Sequence, residues 1–287
     1  MTTRSIEHRR IPTCEMVASI MPNYVDTGIL SALRPLMFHT NLILKGAKGG
    51  GKTRALEQLA AVEGIPLIRQ DCCEDTSIRD LVGTFGVEGD QVFWQMGCLP
   101  TAIEVANEGG LCILVLEEIN TLPEAVQKIL NGMTDYRRSV TSVKAGRVWR
   151  LKEGCEVWIC GTMNPGYAGT YKINEDLRSR FEFLDVPYMN KEQEKEFLVK
   201  LFPTQTSALE RQMLDHIITL AGETRSEVMG YALSTRDLES FVKNYLALDL
   251  PRALKLLEGK YDGEQVKDFQ TRVMTTFKVA LDKVKLY

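Results

Sequence analysis

The sequence predicts an α/β fold with a parallel β-sheet flanked by helices, followed by a smaller all-α region. Up to about residue 189, short apolar runs alternate with segments of helical apolar periodicity, which is typical of a parallel sheet covered by helices. From about Asn190 onward, four segments carry helical periodicity and the strand patterns thin out. The predicted strands are Asn41–Lys45, Pro66–Asp71, Leu111–Leu116, Glu156–Gly161 and Phe183–Val186.

This pattern divides the chain of 287 residues into two expected domains, an α/β domain over residues 1–189 and an all-α domain over residues 190–287. Residues 1–40 precede the first strand and are expected to form one or two helices. Two β-rich runs with glycine punctuation interrupt the α/β domain. Each is expected to form an inserted hairpin, at about residues 82–97 and 137–153.

The composition disfavours a membrane-spanning or a secreted protein. The formal net charge of -3 gives no overall positive surface that would attract nucleic acid or an anionic membrane. Individual basic loops remain possible. No apolar run approaches the roughly 20 residues of a membrane span, and the opening MTTRSIEHRR lacks the apolar core of a signal peptide. The cysteines, 7 in number and without a C-x-x-C motif, indicate reduced, mostly buried thiols. We therefore expect a cytoplasmic protein without a membrane partner.

The segment NLILKGAKGGGKTRALEQLA, residues 41–60, has the pattern of a strand, a glycine-rich loop and a helix. It matches G-x-x-x-x-G-K-[ST], in which backbone N–H groups surround a polyphosphate, the lysine meets its β- and γ-phosphates and the hydroxyl reaches Mg²⁺. The following helix directs the positive end of its dipole to the same place. The alternative is a solvated turn with an accidental lysine, which the flanking strand and helix disfavour. The predicted nucleotide-binding residues here are Gly46, Ala47, Lys48, Gly49, Gly50, Gly51, Lys52, Thr53 and Arg54.

Two further predicted strands end in polar side chains. LCILVLEEIN delivers Glu117 and Glu118 to the carboxyl edge of the sheet, where open parallel sheets bind ligands. Beside a magnesium nucleotide, Glu117 would hold the water shell of the metal and Glu118 would polarise the attacking water. VWICGTMNPG delivers Thr162 and Asn164 in the same way, and Asn164 would hydrogen-bond the water or the γ-phosphate. The alternatives are a surface acidic pair and a turn asparagine before Pro165.

Three arginines are candidates for contacts to the transferred phosphate. Arg178 and Arg180 lie at the end of a predicted helix that leads into the last strand. An arginine supplied from outside a phosphoryl-transfer site is worth about 10³ to 10⁵ in rate. For Arg178, a solvated helix end that favours cations is an equal alternative. Arg236 stands at the start of a predicted helix, where the dipole does not favour a cation, so an anionic ligand would explain it.

The order of these motifs resembles that of AAA+ ATPases, specifically of the MoxR group, which includes CbbQ/NorQ-type activases and is similar to the motor subunits of magnesium and cobalt chelatases. GAKGGGKT resembles Walker A, ILVLEEIN resembles Walker B, GTMNPG resembles sensor one, LRSRF resembles the arginine-finger segment and STRDLE resembles sensor two. The resemblance spans nearly the whole chain. In one departure, Glu117 stands where the first Walker B carboxylate is usually aspartate, which implies slow hydrolysis.

The resemblance implies an AAA+ P-loop NTPase core with an all-α C-terminal lid domain, and an ATPase that uses ATP and Mg²⁺. Lys52 and Thr53 would hold phosphate and metal, with Glu117 as the second metal-binding residue. Glu118 would activate water, and Asn164 would position it.

The same resemblance implies a role for each of the three arginines. Arg180, or Arg178 in its place, would reach into the site of the neighbouring subunit, and Arg236 would touch nucleotide from the lid domain. The resemblance also implies a homo-oligomeric ring, usually hexameric, that remodels a protein partner, and a partner with a von Willebrand factor A domain is expected. The two inserted hairpins would face the pore or the substrate.

Two other functions remain open on the sequence. A nucleic-acid motor would use the basic hairpin KAGRVWRLK, with Trp149 available for base stacking. A nucleotide-gated assembly module would bind ATP but scarcely turn it over, and Glu117 is the hint for it. Nucleic acid is the less favoured partner because the chain is near neutral.

Overall fold

The computed structural model describes residues 6–11, 19–165, 171–203, 208–226 and 230–286. The chain forms two compact units. The first comprises Met1–Met21, Gly28–Gly46 and Gly51–Val186, and the second comprises Pro22–Thr27, Ala47–Gly50 and Pro187–Tyr287. No helix in the described ranges is long and apolar enough to cross a membrane.

The first unit contains a five-stranded sheet, a three-stranded sheet and a hairpin. The strands, in chain order, are β1 (Glu7–Arg9), β2 (Asn41–Lys45), β3 (Leu67–Asp71), β4 (Gly83–Glu88), β5 (Gln91–Met96), β6 (Leu111–Glu117), β7 (Ser139–Ser142), β8 (Arg147–Arg150), β9 (Glu156–Met163) and β10 (Phe181–Asp185). The helices of this unit are α1 (Ile29–Leu33), α2 (Lys52–Glu63), α3 (Ile78–Leu81), α4 (Cys98–Gly109), α5 (Glu124–Gln127), α6 (Asn131–Thr134) and α7 (Glu175–Arg178).

The five-stranded sheet has the order β10-β2-β9-β6-β3, with every neighbouring pair parallel. The inner strand β6, between β9 and β3, is buried on both faces, as expected for a parallel sheet covered by helices. Cys112, Leu114 and Leu116 pack in one core with α4, whereas Ile113 and Val115 pack in another with α2. The predicted parallel sheet flanked by helices is confirmed.

Strand ends differ slightly from the prediction. The last strand begins at Phe181 instead of Phe183, and β9 runs two residues past Gly161. The expectation of helices over residues 1–40 is wrong in part, because Glu7–Arg9 forms β1, which pairs in parallel with β5. Residues 12–18 of this lead-in lie outside the described residues.

Two antiparallel hairpins interrupt the helices and strands of the sheet. β4 pairs with β5, and β1 extends that pair to three strands. β7 pairs with β8, and Trp149 of β8 is only 2% exposed. The expectation that Trp149 is available for base stacking is therefore wrong, because its indole packs in the core beneath the hairpin.

The second unit is helical. Its helices are α8 (Lys191–Leu201), α9 (Ala208–Ser226), α10 (Thr235–Ala247), α11 (Leu250–Glu258) and α12 (Glu264–Phe277). They share an apolar core to which Leu198, Ile217, Phe241 and Phe269 contribute. The helix α11 was not among the four predicted segments. Asp249 caps its first turn by accepting a hydrogen bond from the backbone N–H of Arg252 at 2.8 Å.

Candidate nucleotide-binding site

The glycine-rich loop between β2 and α2 has a backbone that only glycine adopts easily. Gly49 and Gly51 have φ values of 78° and 82°, in the left-handed region. A Cβ on Gly46 would lie 2.1 Å from the carbonyl oxygen of Val186, so this position excludes any side chain. Of the other predicted residues here, Lys48 and Arg54 are exposed, and Ala47 accepts a hydrogen bond from the N–H of Gly50 at 3.3 Å.

Lys52 begins α2, and its side chain turns inward. The residue is 7% exposed, and its Nζ donates to the carbonyl oxygen of Gly46 at 2.9 Å and to Oδ1 of Asn164 at 2.7 Å. Burial lowers the pKa of Lys52 to about 8, although the charges of Glu118 and Glu117 act in the opposite direction. A buried ammonium that donates to two neutral oxygens is well suited to bind an anion.

Glu117 ends β6 beside the first turn of α2. Its Oε2 accepts a hydrogen bond from Oγ1 of Thr53 at 3.1 Å. Its Oε1 lies 3.3 Å from Nε of Arg69 on the neighbouring strand β3, whose Asp71 is in register with Glu117. Burial raises the pKa of Glu117, while the Thr53 hydrogen bond and the Arg69 charge oppose that rise.

Glu118 is held in a backbone conformation that is rare for a residue with a side chain. Its φ of 52° and ψ of 44° place it in the left-handed region, which costs on the order of 1 kcal/mol. Its N–H donates to Oγ1 of Thr162 at 3.1 Å, and its Oε1 accepts from Nδ2 of Asn164 at 3.0 Å. This orientation of the Asn164 amide satisfies both neighbours, since Oδ1 faces the donor Lys52 and Nδ2 faces the carboxylate.

These side chains fit a magnesium polyphosphate. The N-terminus of the 12-residue helix α2, the buried ammonium of Lys52 and the glycine loop are the parts that bind phosphate in known sites. Thr53 and Glu117 supply one hydroxyl and one carboxylate. No group of three or more potential metal ligands of the His, Cys, Asp and Glu types occurs in the described part of the chain. A site with so few protein ligands suits Mg²⁺, which keeps several waters.

The two candidate finger arginines lie at the other edge of the sheet. Arg178 ends α7, with its guanidinium carbon 5.9 Å from the ring centre of Phe183. Arg180 immediately precedes β10, and its Nη1 lies 3.8 Å from Oδ2 of Asp135. Its Nε is buried and has no hydrogen-bond partner among the described residues. Because β10 and β6 are parallel members of one sheet, Arg180 lies at the amino edge and Glu117 at the carboxyl edge.

Arg236 belongs to the first turn of α10, in the second unit, and it is exposed. Ser234 caps this helix in a capping box with Asp237. The same unit includes Ala47–Gly50, and a Cβ on Gly49 would lie 2.7 Å from Cβ of Ser234 and 3.9 Å from Cβ of Arg236. Within this unit, the start of α10 therefore approaches the glycine loop closely.

Two polar residues at the site had no predicted role. Arg69 pairs with Glu117, and Asn120, only 4% exposed, donates from Nδ2 to the backbone oxygen of Asn164 at 3.2 Å. Asn120 follows the carboxyl end of β6, and this placement is the one signal that could have found it, whereas Arg69 lies in the middle of β3 and carries no such signal. Strand order, which decides that β3 lies beside β6, cannot be read from either segment alone.

Known proteins match this chain in sequence. Residues 41–181 match the model of the AAA domain of the dynein-related subfamily. The uncharacterized protein YojN of Bacillus subtilis strain 168 is 32% identical over 199 residues, covering 69% of this chain and 63% of that protein. This chain therefore spans less than two thirds of the length of YojN. An uncharacterized protein of Staphylococcus epidermidis strain ATCC 12228 is 30% identical over 216 residues, covering 74% of this chain and 78% of that protein.

A crystal structure of a protein from Cytophaga hutchinsonii ATCC 33406 aligns with 84% of this chain and 78% of its own chain. Its sequence identity is 18% and its TM-score is 0.48.

Proposed function

Since residues 41–181 belong to the AAA domain family, we propose that this chain is an ATP-hydrolysing, ring-forming motor of MoxR type that remodels or activates a protein partner. Asn164 carries the most weight in this proposal. Its amide contacts both Lys52, the phosphate-binding candidate, and Glu118, the candidate base. The same side chain can therefore respond to the γ-phosphate and to the group that activates water.

In the proposed reaction, a water oxygen attacks the γ-phosphorus of ATP, the bond from that phosphorus to the bridging oxygen breaks, and ADP and phosphate leave. Glu118 accepts the proton of the water on its carboxylate, and Asn164 orients the water. Lys52 binds the β- and γ-phosphates at its ammonium group. Mg²⁺ held by Thr53 and Glu117 would supply neutralisation of the charge on the phosphate oxygens.

The position of the finger candidate supports a ring. Arg180 precedes β10 at the amino edge of the sheet, whereas Glu118 follows β6 at the carboxyl edge. This separation supports a role for Arg180 in the site of a neighbouring subunit instead of its own. We propose a ring of six subunits because the rings of this family are usually hexameric. Arg178, which lies over the ring of Phe183, is the second candidate for this role.

Residues 190–287 are proposed as the lid domain, with Arg236 touching nucleotide. The close approach of Gly49 to Ser234, two residues before Arg236, supports this role. The protein partner is proposed to carry a von Willebrand factor A domain, as partners of MoxR-type proteins often do, and the cytoplasm is the proposed location. Faster ATP turnover on adding such a purified partner would support this assignment, and unchanged turnover would count against it.

The decisive experiment is ATP turnover of the Glu118→Gln variant. Loss of the carboxylate should lower turnover by at least about 100-fold, because a positioned general base contributes about 10² to 10⁴ in rate. Binding of a fluorescent ATP analogue should persist. Glu124→Gln, on an exposed helix residue of the same connection, is the matched control and should turn over normally.

Equal turnover in the Glu118→Gln variant and the wild-type chain would refute the proposed base. Turnover per chain should also rise with protein concentration and then level off, because sites are completed between subunits. Nucleotide binding without turnover at any concentration, with or without a partner, would favour the nucleotide-gated module.

A further inference from the structure

A cleft of about 450 Å³ opens in the first unit at the base of the β7–β8 hairpin. Its walls come from the connection between α6 and β7 and from the connection between β8 and β9. Tyr136, Arg137 and Arg138 line one side, and Arg150, Lys152 and Glu156 line the other. All of these residues lie outside the candidate nucleotide-binding site.

The cations of the cleft are incompletely neutralised. Arg137 is paired with Asp135 at 2.6 Å. Arg138 donates from Nη1 to the carbonyl oxygen of Met133 at 3.1 Å and forms no ion pair with a described residue. The side chains of Arg150 and Lys152 are exposed, and neither forms a hydrogen bond or an ion pair within the described ranges.

The backbone that carries these two free cations is held firmly. Asn107 of α4 donates from Nδ2 to the carbonyl oxygen of Arg150 at 3.0 Å and accepts from the N–H of Lys152 at 2.8 Å. The N–H of Leu151 donates to the carbonyl oxygen of Arg138 at 3.2 Å. Two positive side chains are therefore presented from a fixed platform without a hydrogen-bonded or ion-paired partner among the described residues, and only the charge of Glu108 acts on Lys152 from a distance. This arrangement favours an anionic ligand.

Other groups in the cleft narrow the class of anion. Tyr136 is 93% exposed, so its ring offers a flat apolar face to a ligand. Glu153 and Glu156 add hydrogen-bond acceptors. The carboxylates repel any polyanion, but single-stranded nucleic acid also carries base amino groups that can donate to them and bases that can stack on the ring, whereas an acidic peptide offers anions for the cations alone.

We propose that this cleft binds single-stranded nucleic acid, with phosphates on Arg150 and Lys152 and a base beside Tyr136. This inference goes beyond the proposed ATPase and does not need it. Trp149, the aromatic residue of the basic hairpin, is buried and plays no part in the contact.

The test is fluorescence anisotropy on the full chain without ATP, with a labelled oligocytidylate of about 15 nucleotides as the probe. The wild-type chain should bind it, and log affinity should fall with log salt by about 0.7 for each phosphate neutralised. The Arg150→Glu/Lys152→Glu variant should bind at least about tenfold more weakly. The Lys144→Glu/Lys267→Glu control, with the same change in net charge at two exposed lysines outside the cleft, should bind within about twofold of wild type.

An abasic oligonucleotide of the same length distinguishes the phosphate contacts at Arg150 and Lys152 from the base contact at Tyr136. Tyr136→Ala should weaken binding of oligocytidylate but not of the strand without bases. Three results would each overturn the proposal: no binding of the strand by the wild-type chain, equal weakening in both double variants, or tighter binding of a labelled oligoglutamate. Circular dichroism of each variant checks that the chain is folded, and because ATP is absent, a failed ATPase proposal would leave these results unchanged.

Discussion

Asn164 donates a hydrogen bond from Nδ2 to Oε1 of Glu118 at 3.0 Å, although 46 positions separate the two residues in the chain. The contact exists because β6 and β9 are neighbours in the sheet and both end at its carboxyl edge. Lys52 reaches the other end of the same amide at 2.7 Å. Because Lys52 would keep its hydrogen bond to the carbonyl oxygen of Gly46, a change at Asn164 should affect catalysis more than nucleotide binding.

Asn164→Ala should lower the rate of ATP turnover by about 10- to 100-fold. The carboxylate of Glu118 would lose its orienting partner, while the phosphate-binding loop would stay intact. Turnover at saturating ATP and the Kd of a fluorescent ATP analogue separate the two effects. A large rise in Kd with an unchanged maximal rate would assign Asn164 to binding and not to water activation.

Arg69→Gln should lower the Mg²⁺ concentration that gives half-maximal turnover, by about two- to fivefold. The guanidinium lies 3.3 Å from Glu117 and reduces the attraction of that carboxylate for a second cation. The effect should be modest because the Arg69 side chain is 46% exposed. Arg34→Gln removes a comparably exposed arginine, paired with Glu63 at 2.8 Å, and serves as the control. A higher Mg²⁺ requirement in Arg69→Gln would show that Arg69 supports the metal site.

Two inactive variants should restore activity when mixed. Arg180→Ala should lose about 10³-fold in turnover because its neighbour's site lacks a finger, and Glu118→Gln should be inactive because its own site lacks a base. In a mixed ring, the intact site of the first variant receives the finger of the second. Turnover of equal mixtures should thus exceed that of either variant alone. Mixtures as inactive as their components would argue that Arg180 does not act between subunits.

Glu194→Ala should destabilise the helical unit by about 3 to 5 kcal/mol. The Glu194 side chain is 1% exposed and receives two hydrogen bonds from Arg225, at 2.8 and 3.0 Å, so its removal leaves a buried guanidinium without a counter-charge. Hydrogen exchange of amides in α8 and α9 measures the change. Asp215→Ala breaks an exposed pair with Lys195 and should cost less than about 1 kcal/mol. Equal effects of the two variants would contradict the assigned role of burial.

The helical unit should also lose stability in acid. Burial alone would raise the pKa of Asp237, but hydrogen bonds from Lys260 and Ser234 outweigh it and hold the pKa below its ordinary value. A depressed carboxylate pKa contributes stability at neutral pH, and this contribution disappears as pH falls through about 4 and below. The difference in thermal midpoint between the wild-type chain and Asp237→Asn should therefore be largest near neutral pH and shrink in acid. A difference that does not vary with pH would assign the effect to packing.

Much of the fold could be predicted from the sequence because the burial of a strand or helix is recorded in the apolar pattern of its own residues. The run from Leu111 to Leu116 is apolar throughout, as a strand buried on both faces must be, and its two faces pack into separate cores. The glycine loop needs its residue types at fixed spacing, since Gly49 and Gly51 take left-handed conformations. Such features depend on a few neighbouring residues, so inspection of a short segment suffices.

By itself, the sequence determined most of the strands and helices, though not β1 or α11, together with the place of the glycine loop and the polar residues that end the strands. Only the tertiary structure decided which of those residues meet. The order β10-β2-β9-β6-β3 brings Asn164 to Glu118 and Arg69 to Glu117, and it leaves Arg180 at the opposite edge. The packing of the β7–β8 hairpin, also a tertiary feature, buries Trp149 and forms the cleft at its base. The physical reason is that strand pairing and side-chain burial depend on residues far apart in the chain, and no single segment carries that information.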